Sequence, residues 1–255
     1  ETAFQSSLHY AKERVQGKLP ESENIADPII VHPEIRKNLM FMKSMNDGIR
    51  GLMIRAGHAF DLIDTDQSKE LSKSSENLIA LLTPILKSFA TDKSMEITNQ
   101  ALQIYGGHGY ITDHGMEQLV RDARITPIYE GTNGIQALDL IGRKFNIHDG
   151  LIINQYLDDI NIFLDDHKGN SKMEKFIKLF EPSYNDLKDC IDFIKRTDVK
   201  NIQEINSHAV DFLNIFALVA VGFTWLEFIG ISLNKIENKD DDFYFSKIQL
   251  GDFYL

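Results

Sequence analysis

Two long apolar repeats at helical spacing constrain the fold more than any other feature of this sequence. The first covers Pro33–Asp64 and the second about Ser72–Tyr105, with apolar side chains recurring three and four residues apart. Pro33 suits the first turn of a helix, whereas Pro84 is expected to break or kink the second repeat. Convincing strand alternation is scarce. The sequence therefore predicts an all-α protein built on a bundle of long helices.

Shorter periodic segments extend this pattern to both ends of the chain. They predict helices at Ser6–Gln16, stopped by Gly17, at Met116–Arg124, Thr132–Phe145, Ile152–Leu164, Met173–Lys195 and Glu204–Ile236, and from Asp240 onward. Beyond Gly150 the composition shifts toward Asn, Asp, Lys, Ile and Phe. We therefore expect two domains, a helical bundle over 1–148 and an additional C-terminal helical domain over 149–255.

Charge and composition argue against several classes of protein. The chain has 38 acidic and 27 basic residues, a formal net charge of −11, which is unfavourable for binding nucleic acid. The most apolar stretch, Phe212–Leu233, contains Glu227, so we interpret it as a buried helix and expect no transmembrane segment. A single cysteine, Cys190, excludes a disulfide framework and favours a reducing, cytoplasmic setting.

The sharpest motif is a glycine cluster followed by two further segments. They read Gln103-Ile104-Tyr105-Gly106-Gly107-His108-Gly109-Tyr110, Arg121-Asp122-Ala123-Arg124-Ile125 and Ile128-Tyr129-Glu130-Gly131-Thr132-Asn133-Gly134-Ile135-Gln136. Taken alone, the glycines indicate a helix C-cap and a turn, because no strand precedes them as a dinucleotide fingerprint requires.

In this order and spacing, the segments resemble the C-terminal helical domain of the acyl-CoA dehydrogenases, flavoenzymes that desaturate fatty acyl-CoA thioesters. Tyr10–Lys18 resembles the end of the family's preceding helix, and the resemblance covers about 1–145. The remainder resembles the extra helical region of a longer bacterial branch. The family's flavin-holding β-domain and N-terminal helical domain precede this segment. The resemblance thus implies the C-terminal part of a longer oxidoreductase, inactive by itself.

The same resemblance implies the chemistry and the residues that carry it. The family removes a proton from Cα and transfers a hydride from Cβ to FAD. The glutamate of its Tyr-Glu-Gly-Thr stretch is the base, which here is Glu130, and the flanking Tyr129 and Gly131 are expected to contact the acyl-CoA substrate. Judged without the resemblance, Glu130 is better interpreted as an exposed acidic group near a helix start.

Five further residues match family positions that contact FAD. Gln103, Gly106 and Gly107 match positions against the adenine dinucleotide of a neighbouring subunit's FAD, Arg14 matches a basic residue near the pyrophosphate, and Thr132 matches a residue that contacts its own subunit's flavin. Arg14 could also be a solvated helix-end arginine, and Thr132 a plain N-cap. The resemblance further implies a homo-oligomer with shared FAD sites and electron-transfer flavoprotein as the electron acceptor.

Some features depart from the family or leave alternatives open. Gly134 stands where many relatives carry glutamine, and Arg143 is not assigned to a family position. The histidines His108, His114 and His148 lack the spacing of a metal site, so no metal is expected. An acyl-CoA oxidase, with the same base and oxygen as acceptor, and a non-catalytic helical scaffold derived from the family remain the alternatives.

Overall fold

The computed structural model describes residues 1–65, 68–196, 202–236 and 242–255, and it is all-α as predicted. The α-helices are α1 (Thr2–Glu13), α2 (Pro33–Asp64), α3 (Lys69–Tyr105), α4 (Gly107–Tyr110), α5 (Met116–Arg124), α6 (Asn133–Leu138), α7 (Leu151–Asp166), α8 (Glu174–Arg196), α9 (Ile202–Ser207), α10 (Ala209–Lys235) and α11 (Asp242–Tyr254). The described residues contain no strand, and their β-pairing is limited to an isolated bridge between Val15 and Pro28.

The prediction for α2 is confirmed at both ends, and the helix over the second repeat is not broken at Pro84. α3 begins at Lys69 and continues through Pro84 to Tyr105. A proline inside a helix removes one backbone hydrogen bond and costs about 3 kcal/mol. Leu81, Leu82 and Ile85 around it are fully buried, so the packing of this turn offsets the cost.

Three other helix boundaries differ from the sequence prediction. α1 ends at Glu13, not at Gln16, because the chain after it pairs with another segment. The helix predicted over Thr132–Phe145 remains α-helical only to Leu138, and it continues as a π-helical turn over Asp139–Arg143 and a 3₁₀ helix over Lys144–Gly150. The helix predicted over Glu204–Ile236 is divided into α9 and α10 at His208. The start predicted at Asp240 lies outside the described residues.

The chain forms two compact units, of which the first comprises Glu1–Asp47 and Thr91–Tyr129. Its core is built from α1, the first half of α2, the end of α3 and α5, through buried residues that include Phe4, Ala11, Ile29, Leu39, Met42, Ile97, Ala101 and Ile104. Leu39, Met42, Ile97 and Ile104, which belong to the two apolar repeats, are among the residues buried in this core.

The second unit comprises Gly48–Ala90 and Glu130–Leu255 and is organised around α10. α10 packs against α8 and α11, and its Trp225 is fully buried. By length and hydropathy α10 could cross a membrane, but 72% of its most apolar window is buried inside the protein. The interpretation of this stretch as a buried helix is confirmed. The boundary predicted between residues 148 and 149 stays a prediction.

Candidate functional site

Four of the predicted cofactor residues line one cleft in the first unit. Arg14, Gln103, Gly106 and Gly107 surround a cavity of about 670 Å³ between the end of α1, the start of α2 and the end of α3. This volume lies within the range of about 300–1,000 Å³ that is typical of small-molecule sites. The structure thus brings together residues that lie up to 93 positions apart in the sequence.

The glycines make the backbone at the end of α3 accessible from this cleft. Gly106 adopts φ +58° and ψ −140°, a region reserved for glycine, and its amide donates to the carbonyl of Gln103 at 3.0 Å. Within the described part of the chain, a Cβ added at Gly106 or Gly107 would meet no neighbouring heavy atom within 4 Å. A ligand can therefore approach the main chain at these glycines more closely than it could at residues that carry a side chain.

Stacked aromatic rings form one wall of the cleft. The rings of Tyr10 and Tyr105 stack with their centroids 4.0 Å apart, and the Tyr10 hydroxyl lies 2.9 Å from Nδ1 of His108. His108 stacks in turn on His114 at 4.9 Å. These contacts connect α1 to the glycine cluster and fix the shape of the wall.

Backbone hydrogen bonds that begin where α1 ends fix the position of Arg14. Its carbonyl accepts a hydrogen bond from the amide of Ile29 at 2.8 Å, and the amide of Gln16 donates to the carbonyl of Asp27 at 2.9 Å. Arg14 is exposed and has an extended backbone, φ −68° and ψ 120°. The short paired segment therefore holds a positive charge at the mouth of the cleft.

Sequence reasoning missed Asp27, which organises the turn behind this pairing. Its Oδ1 accepts from Ser22 Oγ and Asn24 Nδ2, both at 2.7 Å, and its Oδ2 accepts from the amide of Leu19 at 2.9 Å. The hydrogen bonds from Asn24, Leu19 and Ser22 lower the pKa of the Asp27 carboxyl. Asp27 thus supports the position of Arg14 from outside the cleft.

The predicted base lies in a strained turn of the second unit. Among the described residues other than glycine, Glu130 alone has a positive φ, +56°, and Gly131 follows with φ +83°. A residue with a side chain pays about 1–3 kcal/mol for such a conformation, which is common at functional sites. The Glu130 side chain is exposed, and no hydrogen bond or ion pair of its carboxylate is found within the described part of the chain.

The residues that follow hold this turn to the start of α6. Thr132 is the N-cap, and its Oγ1 accepts from the amide of Ile135 at 3.4 Å. Gln136 Nε2 donates to the carbonyl of Glu130 at 3.2 Å. The N-cap alternative for Thr132 is therefore seen directly, and its contact with flavin stays a prediction.

A lysine that sequence reasoning missed fixes the turn from α3. Lys87 Nζ donates to the carbonyl of Gly131 at 2.7 Å and to Oδ1 of Asn133 at 2.9 Å. Asn133 Nδ2 donates back to the carbonyl of Ser88 at 3.1 Å. No local pattern marks Lys87, because its partners lie 44 and 46 residues further along the chain.

The other candidates occupy simpler positions. Tyr129 donates its amide to the carbonyl of Ile125 at 3.2 Å and is 48% exposed, so its ring is accessible to a ligand. Arg143 forms two hydrogen bonds with Asp139, at 2.5 and 3.1 Å. Among the residues whose side chains are described, which leaves out His148, no group of three His, Cys, Asp or Glu residues could hold a metal ion.

Comparison with known proteins identifies the family to which this chain belongs. Residues 1–145 match the family domain described as Acyl-CoA dehydrogenase, C-terminal domain, and residues 156–255 match Acetyl-CoA dehydrogenase C-terminal like. The chain therefore belongs to the acyl-CoA dehydrogenase family.

Individual relatives agree with this assignment. The 3-methylmercaptopropionyl-CoA dehydrogenase of Ruegeria pomeroyi is 30% identical, and the match covers 100% of this chain and 44% of that protein. Two solved structures share the fold over 99% of this chain. Caenorhabditis elegans ACDH-11 in complex with C11-CoA has a TM-score of 0.79 and 22% identity, and the match covers 39% of that chain. A Bacillus anthracis acyl-CoA dehydrogenase complexed with FAD has a TM-score of 0.75 and 18% identity, and the match covers 44% of that chain. The chain spans less than half the length of these proteins.

Proposed function

We propose that this chain is the catalytic-base part of an FAD-dependent acyl-CoA dehydrogenase that introduces an α,β double bond into acyl-CoA thioesters. The observation that carries the proposal is the turn Tyr129-Glu130-Gly131-Thr132, which matches the family motif and holds an exposed carboxylate on a strained backbone. Strain of this kind persists only where the surrounding structure maintains it. Here Lys87 and Gln136 provide that support.

In this proposal Glu130 accepts the α-proton of the thioester on its carboxylate. Gly131 lacks a side chain, so the thioester can lie close to the backbone beside the base. Tyr129, which precedes Glu130 in the sequence, contacts the substrate with its exposed ring. Removal of water by the bound thioester strengthens the carboxylate as a base, because desolvation disfavours its charged form.

The cleft of the first unit fits the nucleotide portion of FAD. Arg14 can pair with a phosphate, and the Gln103 amide can hydrogen-bond to polar groups of adenine. Gly106 and Gly107 follow the C-terminal end of α3, where helix carbonyls predominate, so the backbone here suits hydrogen-bond donors of adenine or ribose better than phosphate. When bound, FAD accepts the β-hydrogen as a hydride.

The test of the base is Glu130→Gln in the FAD-loaded enzyme, with the exposed Glu181→Gln of α8 as a matched control. Mixing with a saturated acyl-CoA should bleach the flavin in the wild type and the control, and fail to do so in Glu130→Gln, while the flavin content stays equal. Near-normal bleaching by Glu130→Gln would remove this residue from the mechanism. Reoxidation by electron-transfer flavoprotein or by oxygen then separates a dehydrogenase from an oxidase.

The proposal includes an oligomer in which the cleft receives a neighbouring subunit's FAD. The double substitution Gln103→Ala, Gly107→Val should lower flavin retention and weaken assembly together. A Cβ at Gly107 lies more than 4 Å from the surrounding described atoms, and the same holds at Gly57 on α2, so Gly57→Val is the control for the added volume. An enzyme that is monomeric and fully flavinylated would refute the shared site. The isolated chain is expected to bind FAD weakly or not at all.

A further inference from the structure

We propose that Lys87 is a positioning residue for the base and that it holds the turn 130–133 in the conformation from which the Glu130 carboxylate reaches the substrate. The inference rests on the proposed function of Glu130 and adds a residue that no sequence motif indicates. Lys87 lies on α3, and its ammonium group contacts the turn rather than the substrate.

The geometry of the turn requires such an anchor. Two consecutive residues, Glu130 and Gly131, have positive φ, and a glutamate does not adopt this conformation unless other contacts hold it there. The backbone carbonyls of Glu130 and Gly131 each accept a hydrogen bond from a side chain. Gln136 Nε2 donates to the carbonyl of Glu130 at 3.2 Å, and Lys87 Nζ donates to the carbonyl of Gly131 at 2.7 Å.

Lys87 also ties this turn to a rigid element. Its second bond, to Asn133 Oδ1 at 2.9 Å, and the bond from Asn133 Nδ2 to the carbonyl of Ser88 at 3.1 Å form a two-way bridge between α3 and the first residue of α6. Ser88 is fully buried, so the α3 end of the bridge is fixed. A bond from a charged donor is stronger than a neutral one, so Lys87 is the stronger of the two carbonyl anchors.

Loss of this anchor should displace the base without removing it. Displacement of a catalytic group by about 1 Å can lower a rate about 100-fold. We therefore expect Lys87→Met to lower the rate of flavin bleaching about 10- to 100-fold at unchanged flavin content, with smaller changes in acyl-CoA affinity. Lys87→Arg should recover part of the rate, because arginine keeps the charge and several donors.

A second measurement needs neither flavin nor substrate. Amide hydrogen exchange over residues 129–136 should become faster in Lys87→Met, because the turn is released from α3. Lys73→Met is the matched control, since Lys73 lies on the same helix and pairs with the nearby Glu76 at the surface. It should leave both the exchange of this segment and the bleaching rate unchanged.

The outcomes separate this inference from the proposed function. If Lys87→Met bleaches at the wild-type rate, or if its exchange over 129–136 matches the Lys73→Met control, Lys87 does not position the base. If Lys87→Met does not fold or loses FAD, Gln136→Leu removes the other anchor and should slow bleaching in the same direction; a normal rate there overturns the inference. Wild-type bleaching by Glu130→Gln would instead refute the base itself.

Discussion

Replacing Glu130 by glycine should stabilise the protein relative to replacing it by alanine. Both substitutions remove the carboxylate, so the pair isolates the effect of the β-carbon on the backbone. Glu130 has φ +56°, where an L-residue is disfavoured and glycine is not. The usual order of stability, alanine above glycine, should therefore be reversed at this position.

The expected magnitude follows from two opposing contributions. The left-handed conformation costs an L-residue about 1–2 kcal/mol, which glycine avoids. Glycine in turn makes the unfolded chain more flexible, which costs about 0.4–1 kcal/mol. The net result is a free energy of unfolding about 0.5–1 kcal/mol higher for Glu130→Gly than for Glu130→Ala.

Asp186, exposed within α8, provides the matched control pair. There glycine should be less stable than alanine by about 1 kcal/mol, the ordinary helical preference. Urea and thermal unfolding followed by circular dichroism measure both pairs, and each 1 kcal/mol corresponds to about 2–4 °C in Tm for a chain of this size. If glycine is less stable than alanine by a similar amount at both positions, the turn at Glu130 is not strained. The backbone strain then no longer supports the proposal that this turn is functional.

Three further predictions concern parts of the structure away from the base. Gly51→Ala should destabilise the protein by about 1–3 kcal/mol, because the added Cβ would lie 2.5 Å from Phe228, and thermal unfolding beside Gly57→Ala, which meets nothing, measures the difference. Arg55 and Glu227 form a partly buried ion pair between α2 and α10, so Arg55→Met and Glu227→Leu should each cost about 2–3 kcal/mol and together less than their sum in urea unfolding. Folding lowers the pKa of Asp27 from its ordinary value of 3.8, so the ionised carboxylate stabilises the fold at pH values above 3.8, and this stability is lost as the pH falls toward the folded-state pKa. Asp27→Asn should therefore be less stable than the wild type at neutral pH and lose less stability on acidification. An unchanged pH profile of unfolding would contradict this.

Local patterns predicted those elements whose ends are determined locally. α2 and α5 have the predicted boundaries because Pro33 begins one, Gly115 with φ +70° precedes the other, and their apolar repeats are continuous. Boundaries failed where distant contacts decide them. The sequence shows no reason for α1 to end at Glu13, since the cause is the pairing of Arg14 and Gln16 with a segment some 11 to 15 residues away.

The residues of the candidate site show the same difference between features that a local motif indicates and features that only the structure reveals. The glycine cluster and the segment around Glu130 could be singled out because each is a contiguous motif that resembles the family's, and their roles stay predictions. Lys87 donates to a backbone carbonyl and to an asparagine side chain of a distant segment. Asp27 accepts hydrogen bonds from a backbone amide and from two short polar side chains that precede it in the chain. Such partners leave no periodic or compositional mark, because almost any lysine or aspartate could form them.

The proposal that Glu130, rather than Asp139, is the base has support that does not depend on the motif, from the partners of the two carboxylates. Asp139 is bound by Arg143 through both of its oxygens, so protonating it would break two charge-assisted hydrogen bonds. No described residue binds the Glu130 carboxylate, so a proton can be accepted there without loss of an existing partner. Lys87 and Gln136 donate hydrogen bonds to the backbone carbonyls of Gly131 and Glu130. A fixed backbone and an unengaged carboxylate are what a general base at carbon requires, because the geometry must be set in advance while the acceptor remains available.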